Sequence, residues 1–373
     1  MQTYRHLQPG DPAPWFHQRS SVNPNYAFDS AAGRYLVLCF FMSAANARAR
    51  LALEAAFLQG ALFDDHKAAF FGVSIDPADA QQNRLATRLP GYRYFWDFDR
   101  KISKLYGAVP TDAGAAGGAV AARQMWVVLD PTLRILKVVP FTDDGSSSQE
   151  VLAFLERLPA PAGFAGFEIQ APVLILPNVF EAEFCQRLVA LYEASGGQES
   201  GFMRERDGKT VLAHDHGHKR RKDHEIADPE VIKHAQNCVL RRVAPEILKV
   251  HQFQVTRMER YIVSCYAVED GGHFAAHRDN TTKGTAHRRF AVSINLNADF
   301  DGGEVSFPEY GPRSFKPPAG GAVVFSCSLL HAVSKVTRGR RYAFLPFLYD
   351  EAAAKVREAN NAFLGEGVGA YRS

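Results

Sequence analysis

The sequence predicts two unlike domains in one chain: an α/β unit, then an α+β unit whose all-β barrel or jelly-roll core follows leading helices. Three observations carry this. Apolar runs of strand length alternate with helical patterns up to about residue 157. The stretch Leu158-Pro-Ala-Pro-Ala-Gly-Phe-Ala-Gly cannot continue a helix and reads as a linker. From Gln252 onward, short β-like segments are separated by Gly, Pro and Asp turns. The predicted boundaries are 1–158 for the first domain, 159–167 for the linker and 168–373 for the second.

The elements follow in order. Residues 34–42 read as one strand, continuously apolar from Leu36 to Met42, as burial on both faces requires. Residues 44–62 are rich in Ala, Leu and Arg, with Leu51, Glu54, Ala55 and Leu58 at helical spacing. A second apolar run, 68–76, stops at Asp76-Pro77. Residues 125–130 and 135–139 flank the turn Asp130-Pro-Thr-Leu-Arg as a hairpin, and 148–157 form an amphipathic helix. Past the linker, Phe184, Leu188 and Leu191 mark a helix over 178–195. Residues 199–228 are polar and crowded with charge, which predicts a long loop, and 226–248 return to helical texture. Strands are then expected at 260–268, 290–296, 304–307, 321–325 and 341–348.

Composition excludes several classes. With 373 residues, 46% hydrophobic and 22% charged, the chain has an ordinary globular balance and disorder is not its dominant state. Its 43 basic and 40 acidic residues give a net charge of +3, so no nucleic-acid partner is expected. The longest apolar run, 36–42, is too short for a bilayer, so no membrane partner is expected. The start Met1-Gln-Thr-Tyr-Arg-His has no apolar signal region. Five scattered cysteines without a CxxC pair fit reduced thiols, and together these features predict a cytoplasmic location. Nothing here sets the oligomeric state.

Only three of the thirteen histidines precede residue 160, so metal chemistry is expected in the second half. His277-Arg278-Asp279 places one imidazole and one carboxylate on the same face of an extended segment. Such a pair alone is close to chance. His331 ends a predicted strand, and Arg341 opens the next one ten residues later. Two histidines and one carboxylate leave three coordination positions open on Fe(II), and a nearby arginine fork suits the far carboxylate of a 2-oxo acid.

Several strings resemble known families. Gly10-Asp-Pro-Ala-Pro-Trp-Phe, Phe71-Gly-Val-Ser-Ile-Asp, Trp96-Asp-Phe-Asp-Arg and Arg123-Gln-Met-Trp-Val-Val-Leu-Asp resemble the thioredoxin-like fold of peroxiredoxins. The stretch where that family carries its thiolate reads Phe40-Phe-Met-Ser-Ala-Ala-Asn-Ala-Arg, without cysteine, and Cys39 falls inside the strand itself. Arg123 matches the family's peroxide-site arginine but has no thiolate to serve, so the domain is expected to be redox-inactive. In the second half, Cys265-Tyr266, His277-Arg-Asp-Asn280, Ser293-Ile-Asn-Leu-Asn297, Gly302-Gly-Glu-Val-Ser-Phe-Pro308, Pro317-Pro-Ala-Gly-Gly and His331 with Val336-Thr-Arg-Gly-Arg-Arg341 resemble 2-oxoglutarate/Fe(II)-dependent dioxygenases of the prolyl 4-hydroxylase-like branch.

That resemblance implies a double-stranded β-helix (jelly-roll) core buttressed by helices. It implies a hydroxylase that consumes 2-oxoglutarate and dioxygen, releases succinate and CO2, and admits ascorbate as a reductant. His277, Asp279 and His331 match the iron ligands, and Arg341 the residue that grips the cosubstrate's C5 carboxylate. Tyr266 matches a cosubstrate-contacting tyrosine, and Asn295 stands where many relatives carry one. Phe274 departs from a frequent tyrosine. The substrate implied is a prolyl or other residue of a protein or peptide, or a small molecule. A binding or sensing protein that responds to iron and 2-oxoglutarate without turnover, its redoxin-like half serving a partner, is the competing expectation.

Other features stay secondary. His273 and His287 flank the motif as substrate-facing candidates or as plain turn residues. His214-Asp-His216-Gly-His218 reads as a solvated loop, with metal or substrate contact as the alternative. Lys219-Arg-Arg-Lys222 reads as solvated surface. Residues 199–225 are expected either to form a mobile flap over the substrate entrance or to be a passive connection.

Overall fold

The computed structural model describes residues 2–114 and 120–371. The chain divides into two compact units, Met1–Gln170 with Pro308–Gly311, and Ala171–Phe307 with Pro312–Ser373. None of its helices is long and apolar enough to cross a membrane, among the described residues.

The first unit is built on one five-stranded sheet. Its strands lie in the order Tyr92–Trp96, Ala68–Ser74, Tyr35–Met42, Met125–Leu129, Ile135–Pro140. The first three run parallel and the last two pair antiparallel, as an αβ crossover followed by a hairpin dictates. Every residue of Tyr35–Met42 and Ala68–Ser74 is buried, which is why both read as unbroken apolar runs. Tyr92–Trp96 escaped the sequence reading because the turn just before it (Pro90-Gly91) hides the onset of a short aromatic strand.

Helix Ala47–Leu58 is capped by the Asn46 side chain, which accepts from the Arg48 and Ala49 N–H groups. It does not bury the expected face. Leu51 and Leu58 are 47% and 85% exposed, whereas Ala49, Ala52, Leu53 and Ala56 pack on the sheet. The sheet offers large side chains there, among them Phe41, Phe70 and Trp126, so small alanines let the helix approach closely. Helix Ser146–Arg157 packs with Val151, Leu152 and Leu155 into the same core.

The second unit holds two large sheets and a separate two-stranded hairpin, among the described residues. The smaller runs Lys219–Arg220, His273–His277, His331–Val333, Val305–Ser306, Ser314–Phe315. The larger includes Lys222–Glu225, Ile262–Ala267, Arg340–Phe344, Phe290–Asn295 and Phe347–Tyr349, with Ala322–Ser326 paired to Phe290–Asn295. All pairings within both sheets are antiparallel, which fits a jelly roll. Helices Ala182–Ser195, Pro229–Arg242 and Ala244–His251 bury Phe184, Leu188, Val231, Val239 and Ile247 in a core shared with the larger sheet.

The polar stretch 199–228 is not a long loop. Phe202–Arg206 and Lys209–Ala213 form a hairpin, Lys219–Arg220 is the edge strand of the smaller sheet, and Lys222–Glu225 lies between Ile262–Ala267 and Gln198–Glu199 in the larger. Asp207 and Gly208 both have positive φ, 52° and 74°, as a two-residue hairpin turn requires. The hairpin is tied down: Thr210 is 1% exposed and its hydroxyl accepts from the Gly284 N–H at 2.9 Å. The long loop expected over 199–228 is therefore corrected to an anchored hairpin and strands.

Candidate metal and cosubstrate site

Antiparallel register explains how a distant histidine meets the His-x-Asp pair. His277 ends its strand directly opposite His331, so the two imidazoles share one face of the smaller sheet with ring centroids 4.2 Å apart. Asp279 follows two residues later, fixed by its N–H donating to the Cys327 carbonyl at 2.9 Å. Its Oδ1 lies 3.5 Å from His277 Nε2 and its Oδ2 3.4 Å from His331 Nε2.

The other ring nitrogens are already engaged. His277 Nδ1 sits 2.8 Å from the Ala275 carbonyl and His331 Nδ1 3.0 Å from the Leu329 carbonyl. A carbonyl only accepts, so each Nδ1 carries a proton and each Nε2 faces Asp279. Burial and the neighbouring His331 pull His277 down to about 4, which keeps its ring neutral. Burial pushes Asp279 up, but His331 and His277 outweigh it and hold the carboxyl well below its usual range. Two imidazoles and one carboxylate converging with their donor atoms within 4.8 Å fit one divalent ion. Phe274 stacks on His277 at 3.5 Å between centroids, and Phe325 lies 4.6 Å from His331, so both rings are fixed by aromatic walls.

The same cavity is lined by Tyr266, Ser293 and Arg341. Arg341 stands opposite Tyr266 in the larger sheet and is 2% exposed. Its Nε donates to Asn295 Oδ1 at 3.0 Å and its Nη2 to Ser293 Oγ at 2.6 Å. Its Nη1 is buried and has no hydrogen-bond partner. Burial brings the guanidinium down to about 10, so it stays cationic at neutral pH. A buried cation with one donor left over fits a ligand carboxylate.

Not every sequence candidate converges here. Asn295 does not line the cavity: its amide nitrogen donates to the Pro317 carbonyl at 2.8 Å while its oxygen holds Arg341. It is thus placed to orient Arg341, not to meet the cosubstrate. His273 lies outside too, with Nδ1 2.8 Å from the Gly271 carbonyl and Nε2 3.3 Å from the Gly217 carbonyl. His287 is 1% exposed and faces away, its Nε2 3.1 Å from Glu259. Neither residue lines the cavity. The His214–His218 cluster scatters: His216 meets Glu199, while His218 packs between Phe202 and Phe274.

Two residues of the site escaped the sequence reading. Ser293 sits two positions before Asn295, on the same strand face, and that period could have found it. Arg221 belongs to the supposed solvated tetrad, yet Lys219 and Arg221 are 5% and 6% exposed, because the run is extended and alternate residues point inward.

Residues 253–349 match the family model of the 2OG-Fe(II) oxygenase superfamily, and residues 9–136 match that of the AhpC/TSA family. The second unit is a 2OG-Fe(II) oxygenase domain. The oxygenase domain follows an AhpC/TSA-type, thioredoxin-like domain, and the chain is accordingly an enzyme of the hydroxylase type. The PKHD-type hydroxylase PiuC of Pseudomonas aeruginosa is 28% identical over 180 residues, covering 46% of this chain and 75% of that protein. PKHD-type hydroxylases of Synechococcus match over only 39% of their own length. Among solved structures, a Trichoplax adhaerens prolyl hydroxylase in complex with a hypoxia inducible factor peptide fragment is 20% identical, with a TM-score of 0.40, covering 50% of this chain and 85% of that one. Peroxidoxin BcpB of Mycobacterium tuberculosis is 17% identical, with a TM-score of 0.35, covering 42% of this chain and 100% of that one.

In the AhpC/TSA-type domain, Cys39 is fully buried in its strand, and burial pushes its thiol well above the ordinary value. The turn and first helical residues after that strand, 43–49, contain no cysteine. All five cysteines of the chain are unpaired and buried.

Proposed function

We propose that the chain is a 2-oxoglutarate- and Fe(II)-dependent dioxygenase that hydroxylates an organic substrate and releases succinate and CO2. The observation that carries this reading is the buried, unpartnered Arg341 Nη1 in the cavity lined by His277, His331 and Asp279. His277 Nε2, His331 Nε2 and an Asp279 carboxylate oxygen would hold the iron, with their Nδ1 protons kept on backbone carbonyls. Arg341 would take the far carboxylate of 2-oxoglutarate through Nη1, oriented by Asn295 and Ser293. Tyr266, 1% exposed beside Arg341, would close that end of the cavity against water. When bound, the iron and 2-oxoglutarate supply the activation of dioxygen and the oxidising power. The chain's own share is to bind, orient and exclude water.

The substrate is proposed to be an organic molecule or a residue of a peptide, the enzyme to act in the cytoplasm, and ascorbate to serve as a reductant that keeps the iron ferrous. The first domain is proposed to be redox-inactive, on the burial of Cys39 and the lack of a cysteine at 43–49. The test is to incubate purified chain with Fe(II), 2-oxoglutarate and pools of peptides or metabolites. Succinate release matched to a mass gain of one oxygen supports the reading; binding of both ligands without succinate favours a sensor.

A further inference from the structure

The cavity carries more positive charge than the proposed cosubstrate uses. Besides Arg341, both Arg221 and Arg260 line it. Arg221 is matched. Its Nη2 donates to Asp223 Oδ2 at 2.7 Å and to Ser200 Oγ at 3.0 Å, and its Nη1 to the Tyr266 hydroxyl at 3.3 Å. Asp223 is fully engaged as its counter-ion, also accepting from Ser200 and, at 2.7 Å, from Ser264. Lys219 does not line the cavity; it donates to Ser200 and the Gly201 carbonyl, and burial pushes it well below its ordinary value.

Arg260 is the more weakly held. It shares Asp223 Oδ2 with Arg221 but at 3.6 Å against 2.7 Å, beyond hydrogen-bond reach. The adjacent carboxylate, Glu259, is held by Arg288 at 2.8 Å, Arg357 at 2.7 Å and His287 at 3.1 Å. The Arg260 guanidinium lies 5.2 Å from the Phe347 ring centroid, and its backbone is left-handed at φ 66°, a conformation uncommon for arginine. Burial and the neighbouring Arg221 bring it down to about 10, so it is charged at neutral pH.

Among the groups that line the cavity or pair with its lining, the charges balance except at one place. A divalent ion, a dicarboxylate, Asp279 and Arg341 sum to zero, whereas Arg221 and Arg260 share the single carboxylate of Asp223. One positive charge is therefore in excess, at Arg260, the more distant of the two, in a partly buried site where an incompletely compensated charge is costly. We propose that Arg260 docks a carboxylate carried by the substrate, so that the molecule hydroxylated here is a carboxylic acid with an apolar body against Pro346 and Phe347. This rests on the oxygenase reading. A single surplus charge matches a monoanion, a planar guanidinium matches a planar carboxylate, and a cationic substrate would be repelled.

The test uses the full chain loaded with Mn(II) and 2-oxoglutarate, with N-acetyl-amino acids and short peptides each offered as the free acid and as the primary amide. Binding is read by calorimetry, and product with Fe(II) and dioxygen by a mass gain of one oxygen. At least one acid should bind about tenfold or more tightly than its amide. Arg260→Gln should bring that ratio near one, and Arg260→Lys should keep part of it, with thermal unfolding confirming that both variants are folded. The arm that responds, N-acetyl acids or peptides, tells a small acid from a peptide carboxylate. Acids and amides binding alike, a preference that survives in folded Arg260→Gln, or no acid binding to a chain that holds Mn(II) and 2-oxoglutarate would each overturn the inference. A chain that fails to load overturns the oxygenase reading itself, and the inference with it.

Discussion

Replacing Arg341 by Ala should weaken 2-oxoglutarate far more than it weakens the metal. Arg341 offers the cosubstrate its unpartnered Nη1 and shares Nη2 with Ser293. One to two charge-assisted hydrogen bonds are therefore at stake, each about 1.5–3 kcal/mol. A loss of about 3 kcal/mol corresponds to roughly a hundredfold in affinity, since 1.4 kcal/mol is tenfold. The triad shares no hydrogen bond with Arg341, so metal affinity should move by less than about threefold, because groups without shared partners couple weakly. The assay is calorimetric titration of 2-oxoglutarate into Mn(II)-loaded parent, Arg341→Ala and Arg341→Lys. The lysine variant keeps the charge but loses the fork, so it should fall between the other two. Unchanged 2-oxoglutarate affinity in folded Arg341→Ala would refute the assignment and send the carboxylate to Arg221 or Arg260.

Further outcomes follow from other contacts. His277→Ala or Asp279→Ala should remove most Fe(II) affinity in equilibrium dialysis; full binding by both would move the site to Glu181, His234 and Cys238, the other group of metal-ligating side chains among the described residues. Asp223→Asn should cost about 3 kcal/mol of stability at pH 7, because it leaves Arg221 buried without a counter-ion. Burial raises the Asp223 carboxyl, but Arg221 and Arg260 outweigh it and hold it well below its ordinary value. Its contribution is thus present above about pH 4 and lost as pH falls toward the folded value, so urea denaturation of parent and variant should converge in acid. The full chain with a dithiol reductant should not consume peroxide, since Cys39 is fully buried; thiol-dependent consumption would restore a peroxidase role.

Much of this was legible in the sequence, for a physical reason in each case. Strands buried on both faces, such as Tyr35–Met42, show as unbroken apolar runs. The site was legible because a His-x-Asp pair, a strand-end histidine and a following arginine kept a fixed order, and antiparallel register converts that order into proximity. What stayed hidden depended on context. Lys219-Arg-Arg-Lys222 looks like solvated charge until its extended backbone turns Lys219 and Arg221 inward. His287 looks poised for substrate until Glu259 claims it. Asp207-Gly208 was a readable hairpin signal, overlooked because the flanking strands carry polar residues on both faces.

The most direct measurement is 2-oxoglutarate turnover by the full chain with Fe(II) and dioxygen, in parent and Asp279→Ala. The expected result is succinate released by the parent and abolished in the variant. No turnover by iron-loaded parent across acid-bearing peptide and metabolite pools, or turnover that survives loss of Asp279, would contradict it.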